Sequence, residues 1–325
     1  NTTAGVINVI SKKAEEEFGG SIDASYGDYD YIRTRGALNL PLTDNIFQRF
    51  SVYYTSRDGF VDNVYDGDEF DDRDMYSVRS STTFLFGDNT EAFLTINYFD
   101  EDSHRMRGSA SFCANDPDGI LGCLPNRGKP LDQSANTLGT VGGFLLETVS
   151  DITGENYPIE NGLDSFTPSD LREVNFDFTP QYEADETIVS LEINHELDKL
   201  TLHSLTGYHE SSLDARNDYD FTANNQEWPT FTTYERGPDG PATVNILQQN
   251  DRATTDPEQW SQEFRVSSSF DGDLNFMLGA FYLTYEGDTH YYIYSSALSL
   301  FGETFDVDQD RWVFDNHTRK YELET

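Results

Sequence analysis

Nine stretches of this chain alternate apolar and polar residues, and the links between them alternate between short and long. The stretches are 20–26, 34–40, 47–56, 76–86, 91–99, 187–197, 200–207, 260–269 and 274–285. A period of two belongs to a β-strand whose two faces meet different surroundings. Helical periodicity is almost absent, so the chain reads as all-β. A tenth stretch begins near Thr318, and the apolar run Ala4-Gly5-Val6-Ile7-Asn8-Val9-Ile10 precedes the first.

Every second link is tight. Pro41-Leu42-Thr43-Asp44-Asn45, Gly87-Asp88-Asn89-Thr90, Asp198-Lys199 and Asp271-Gly272-Asp273 supply them. Asp, Asn and Gly tolerate the backbone angles of tight hairpins. The links 57–74, 104–185, 213–258 and 286–315 are long, and only the first link, around Gly27-Asp28-Tyr29-Asp30, breaks the rule by being short. In an up-and-down antiparallel meander the two kinds of link fall at opposite rims. Short turns at one rim and long loops at the other is the pattern of an outer-membrane β-barrel. A soluble sandwich has no reason to sort its loops this way.

Strand parity says which residues share a face. A two-residue turn at Asp198-Lys199 pairs Leu197 with Leu200, His195 with Leu202 and Ile193 with Ser204. Val189, Leu191, Ile193, Leu197, Leu200 and Leu202 then share one face, opposed by Ser190, Glu192, Asn194 and His203. Phe50, Val52 and Tyr54 oppose Arg49, Ser51 and Tyr53; Leu94, Ile96 and Tyr98 oppose Thr95 and Asn97; Phe264 and Val266 oppose Glu263, Arg265 and Ser267. In water the apolar face needs a second layer, and no helical segment can supply one. In a bilayer lipid covers it, and closure of the sheet removes unpaired edges. The polar face then lines a wet lumen or packs on a plug. On that parity Arg35, Arg49, Arg79, Glu192, Asn194 and Arg265 face the lumen. Tyr and Phe near strand ends fit interfacial aromatic girdles.

Charge narrows the function classes. With 59 acidic and 21 basic residues the net charge is −38. Such a chain repels a phosphate backbone, which excludes nucleic-acid binding by charge neutralisation. It also lacks the basic patch that docks on anionic lipid. Aromatics at 14% argue for a folded chain. No stretch approaches the roughly 18 apolar residues of a transmembrane helix, so strands are the only spanning elements on offer. Most of the acidic excess sits in the long links and mildly favours a cationic or metal-bearing ligand. The densest run contains Asp66, Asp68, Glu69, Asp71 and Asp72. These carboxylates are a candidate cation patch, since hard cations take oxygen ligands. They lack the ordered spacing of a calcium loop, and a solvated acidic loop is the competing reading.

Cys113 and Cys123 lie in one loop-like stretch. A local disulfide there implies an oxidising compartment and would restrict a long loop; two free thiols are the alternative. No catalytic constellation emerges. His195-Glu196 and His209-Glu210 lack the second His of a zinc protease helix, no Gly-x-Ser-x-Gly elbow exists, and 122–129 misses the phosphate-loop spacing. Neither an enzyme, a resident metal nor a cofactor is expected.

Several segments in order resemble the TonB-dependent outer-membrane receptors of Gram-negative bacteria. The opening, from Asn1-Thr2-Thr3-Ala4-Gly5-Val6-Ile7 through Lys12-Lys13, resembles the end of that family's plug domain. Gly36-Ala37-Leu38-Asn39-Leu40-Pro41-Leu42-Thr43-Asp44 resembles the second barrel strand and first periplasmic turn, and Arg57-Asp58-Gly59-Phe60 the start of the second outer loop. Ser261-Gln262-Glu263-Phe264-Arg265-Val266 and Gly279-Ala280-Phe281-Tyr282 resemble a later barrel hairpin. The resemblance implies a plug end at 1–13 and, at 14–325, the N-terminal part of a 22-stranded barrel, incomplete here at about ten strands. Both ends read as cuts in a longer protein. It further implies import of a scarce nutrient across the outer membrane: a siderophore-like metal chelate, a vitamin or an oligosaccharide. The partners implied are the TonB inner-membrane complex, outer-membrane lipid and the small-molecule or metal-chelate ligand. The alternatives are a secreted acidic β-rich binding or structural protein, which would be soluble without detergent, and a passive porin, against which the plug-like run 4–10 weighs.

Overall fold

A computed structural model describes residues 11–109, 151–154, 168, 170–219, 221, 223, 231–232, 243–244 and 248–295. In chain order the strands are β1 (Gly19–Gly27), β2 (Tyr31–Thr43), β3 (Ile46–Arg57), β4 (Val61–Asn63), β5 (Glu69–Phe70), β6 (Arg73–Phe86), β7 (Thr90–Ser103), β8 (Glu173–Val174), β9 (Gln181–Leu197), β10 (Leu200–Asp218), β11 (Phe231–Thr232), β12 (Thr243–Val244), β13 (Gln249–Ser268) and β14 (Met277–Ser295). The nine long ones form a single antiparallel sheet ordered β1-β2-β3-β6-β7-β9-β10-β13-β14. Each pairs with the next long strand along the chain, which is an up-and-down meander. The sheet is not closed among the described residues: β1 and β14 are its edges.

The tight turns sit at one rim. Asp44-Asn45 joins β2 to β3, Gly87-Asp88-Asn89 joins β6 to β7 and Asp198-Lys199 joins β9 to β10. Asp198 adopts a left-handed φ of 45° and Gly87 one of 65°, angles that Asp and Gly enter at the lowest steric cost. The turn expected at Asp271-Gly272-Asp273 is wider: β14 starts at Met277 rather than at residue 274, and Asn275 ties the connection down by accepting the Phe270 amide proton (2.7 Å).

The strands run further towards the long-link rim than alternation suggests. β9 begins at Gln181, β10 continues to Asp218, β13 starts at Gln249 and β14 reaches Ser295. The long links expected at 104–185, 213–258 and 286–315 are therefore shorter at those ends, and 57–74 contains β4 and β5. These extensions carry polar or charged residues on both faces, so the hydropathy signal fades there. Backbone pairing persists because it needs no apolar side chain. The strand-like stretch near Thr318, the run 4–10 and the pair Cys113 and Cys123 lie outside the described residues.

Register aligns the faces across the sheet. Gly36, Val52, Val78 and Tyr98 occupy one row, and Leu94 pairs with Leu191 in the row that continues to Thr206. The apolar face is bare: Ile22 is 82% exposed, Leu278 64% and Phe264 56%. Withdrawing one such side chain from water is worth about 1.5–3 kcal/mol, so a continuous bare face marks a surface with a non-aqueous cover. Towards the long-link rim that face ends in aromatics. Tyr76 lies 6.0 Å from Tyr98, and Trp260 lies 5.8 Å from Tyr282, centroid to centroid. Beyond them the same face turns acidic, with Asp100, Asp185, Glu210 and Glu258 two residues past Tyr98, Thr187, Tyr208 and Trp260.

Candidate functional site

The opposite face carries the chain itself. Residues 11–17 lie against β2, β6 and β7, which defines that face as the inner one. Asn39, almost fully buried, donates from Nδ2 to the Glu15 and Glu17 carbonyls (2.7 and 2.6 Å) and accepts the Glu15 amide proton at Oδ1 (2.9 Å). Thr83 donates to the Ala14 carbonyl (3.2 Å), and Arg79 donates to Ser11 Oγ (3.2 Å) and Asn97 Oδ1 (3.2 Å). Lys13 pairs with Glu91 and lies over the Phe93 ring. A polar wall satisfies the backbone of an irregular segment, which an apolar wall cannot do.

At the long-link rim the loops fold into a small second layer. β4 pairs antiparallel with β5 and parallel with β8. Val61, Phe70, Val174 and Phe176 are buried there, with Phe60, Met106 and Phe221 packed around them. Asn63 organises the junction: its Nδ2 donates to the Phe176 carbonyl (3.0 Å) and its Oδ1 accepts the Phe176 amide proton (2.9 Å).

The segment that follows β7 then crosses the inner wall. Arg105 stacks over Tyr182 at 3.5 Å and stands 3.7 Å from Glu101. Arg107 pairs with Asp251, its amide donates to Asn217 Oδ1 (3.3 Å), and its guanidinium lies over Tyr291. Tyr291 donates to the second Asp251 oxygen at 2.5 Å. Asp251 stands well past the aromatic band. Burial pushes its carboxyl above the usual carboxylate range, against the Tyr291 hydrogen bond and the Arg107 charge, which pull it down.

Register places the residues expected to face the lumen on the wall that carries 11–17. Arg35 lies 3.0 Å from Asp23, and Arg49 sits in the row of Asn39 and Ser81. Of these, Arg79 touches residues 11–17, through Ser11. Glu192 accepts from Asn194 (2.8 Å), whose Oδ1 meets His203 Nδ1 (2.8 Å), and Arg265 lies 2.8 Å from Glu263. Arg33, Arg57 and Arg73 share this face and were not singled out from sequence. Parity alone assigns Arg33; Arg57 and Arg73 fell inside the expected loop 57–74.

The acidic run does not converge. Asp66 accepts from Asn63 Nδ2 (2.7 Å) and the Asp68 amide (3.0 Å), as a turn residue does. Asp71 accepts the Met106 amide proton (3.2 Å), Asp72 binds His104 Nδ1 (2.8 Å), and Asp68 and Glu69 are exposed. Among the described residues no group of three His, Cys, Asp or Glu side chains is placed to hold a metal ion.

A meandering antiparallel sheet with a bare apolar outside, a polar inside that binds a chain segment, and sorted loops defines the class: part of the wall of a membrane β-barrel. No family model and no curated protein matches the sequence. Solved structures do. The siderophore receptor PiuA from Acinetobacter baumannii aligns over 97% of this chain and 38% of its own, with a TM-score of 0.54 at 15% identity. The pyoverdine outer membrane receptor FpvA from Pseudomonas aeruginosa PAO1, bound to pyoverdine, aligns over 91% of this chain and 34% of its own, with a TM-score of 0.50 at 15% identity. The likeness is one of fold: this chain has the architecture of part of an outer-membrane receptor barrel and spans little more than a third of those proteins.

Proposed function

We propose that this chain is part of a TonB-dependent receptor of the Gram-negative outer membrane that imports a metal chelate. Residues 1–13 end the plug and 14–325 build the first part of the barrel. Lipid covers the apolar outside, and the plug fills the lumen until the inner-membrane TonB complex pulls on it. The protein is a transporter with no catalytic step. The observation that carries this reading is how the plug end and the chain leading from it sit on the inner wall: Arg79 and Glu91 hold Ser11 and Lys13, and Thr83 and Asn39 hold Ala14, Glu15 and Glu17. An empty pore needs no such seat. PiuA and FpvA, named for a siderophore and for pyoverdine, support a ferric chelate over a vitamin or an oligosaccharide.

The test uses the full-length protein in a Gram-negative host lacking its own iron receptors. Uptake of radioactive iron is measured with a panel of siderophores. Uptake that requires the protein and collapses when TonB is deleted supports the reading. Uptake that persists without TonB would make the protein a passive pore and overturn it.

A further inference from the structure

The inner wall sorts its charges by sector. On β1, β2, β3 and β6 the inward positions include six arginines and a single carboxylate, Asp23. On β7, β9, β10 and β13 the balance reverses: Glu91, Glu101, Glu186, Glu192 and Glu263 face inward with Arg265. The chain as a whole carries −38, so a sector this rich in arginine runs against its composition.

Register arranges these arginines in a ladder. Arg57 and Arg73 stand opposite each other in the first inward row at the long-link rim. Arg33 occupies the next row, beside Thr55 and Met75; Arg35 the next, beside Tyr53 and Ser77; Arg79 the next, beside Ala37 and Ser51; and Arg49 the last, beside Asn39 and Ser81. Successive inward rows are about 7 Å apart, so the ladder descends about 27 Å from the rim towards the tight turns. Like charges placed opposite one another weaken a sheet, and a purely structural wall would interleave carboxylates here. Among the described residues Asp23 does so, 3.5 Å from Arg33 and 3.0 Å from Arg35, and at the rim Arg73 lies 3.9 Å from both Asp71 and Glu101. Among the described residues no carboxylate lies within ion-pair distance of Arg49, Arg57 or Arg79. The Nε atoms of Arg33 and Arg57 are enclosed without a hydrogen-bond partner among those residues. Arg35 keeps 55% of its side-chain surface open.

We infer that this ladder is an anion track: it recognises a small solute bearing several carboxylate, phenolate or sulfonate oxygens and leads it down one sector of the wall, while the neighbouring acidic sector repels it. Guanidinium groups suit this task because each offers a planar fork of donors to paired oxygens and stays charged at any physiological pH. The inference rests on the import reading and specifies the charge of its ligand. The acidic loops alone suggest the opposite sign.

The experiment uses full-length protein in detergent and a pyrene trisulfonate dye as the probe, with its net-neutral trisulfonamide analogue as control. Binding is read by fluorescence anisotropy at low and at physiological salt. The track predicts selective binding of the sulfonate that weakens with salt. Arg33→Gln with Arg35→Gln should lower affinity tenfold or more, and Arg33→Lys with Arg35→Lys should keep it within about threefold. Asp23→Asn should tighten binding about threefold, a gain that misfolding cannot mimic. Equal binding of the two dyes, or indifference to all three variants, overturns the inference. So does a glutamine variant that alters only the protection of residues 11–17 against hydrogen exchange, which would make the ladder a clamp for the chain. Dye binding reports on the wall whether or not anything is transported, so this result and the TonB dependence of iron uptake stand or fall separately.

Discussion

Arg107 and Asp251 form an ion pair across the inner wall, between the segment that leaves β7 and the far end of β13. Only 9% of the Asp251 side chain is exposed, and Tyr291 holds its other oxygen. Truncating Arg107 leaves that carboxylate buried with only neutral donors, the Tyr291 hydroxyl and the backbone at Asn217 and at Asp251 itself. Hydrogen bonds to charged groups contribute about 1.5–3 kcal/mol. We predict that Arg107→Ala speeds hydrogen exchange at residues 105–109 by about tenfold or more and leaves the sheet intact by circular dichroism.

The same carboxyl makes the fold sensitive to pH. Its pKa is raised in the folded state, chiefly by burial, so the folded protein binds this proton more tightly than the unfolded chain. The contribution is present below the ordinary carboxylate range and is lost as pH rises through the raised value. The urea midpoint of the wild type relative to Asp251→Asn should therefore be higher at acid than at neutral pH. A relative midpoint that falls on acidification would reverse the sign.

Asn39 makes three hydrogen bonds to the backbone of Glu15 and Glu17 from a nearly closed site. At about 0.5–1.5 kcal/mol net for each, Asn39→Ala should cost about 1.5–4.5 kcal/mol locally. The expected result is lost protection of the Glu15 amide and new protease sensitivity near residues 12–17, with barrel assembly preserved on heat-modifiability gels.

Val189 and Ser190 are neighbours on β9 that point to opposite faces. A lysine at the level of the bilayer midplane on a lipid-facing position costs about 2–4 kcal/mol, and far less on the lumen side. Val189→Lys should depress the yield of folded protein in lipid vesicles or its urea midpoint strongly, while Ser190→Lys changes either little.

Much of this wall was legible in the sequence because two simple rules agree along it. Alternation gave the apolar rows through Val52, Leu94 and Val189, and Asp44-Asn45, Gly87 and Asp198-Lys199 marked the turns that fix register between adjacent strands. The rules stop where the cover changes. Beyond Tyr98 and Trp260 both faces are polar, so the outer third of β9, β10, β13 and β14 left no periodic trace. β4, β5 and β8 are two or three residues long and exist through contacts such as that of Asn63 with Phe176, which no local window contains. The arginine ladder is half legible: parity gives the face of each arginine, but β3 and β6 are separated by a long link, so only the register of the folded sheet shows that Arg57 meets Arg73 and Arg79 meets Ser51. Asp251 and Arg107 lie too far apart in the chain for any local pattern to join them.

The central claim is that the apolar face of this sheet meets hydrocarbon and the polar face an occupied lumen. A nitroxide scan of Phe93 to Tyr98 on β7 tests it most directly, in full-length protein carrying Cys113→Ser and Cys123→Ser and reconstituted in lipid vesicles. Collision with oxygen, which concentrates in the bilayer, should be high at 94 and 96 and low at 93, 95 and 97. A flat profile, or one in which 94 and 96 instead collide with a water-soluble nickel chelate, would contradict the account.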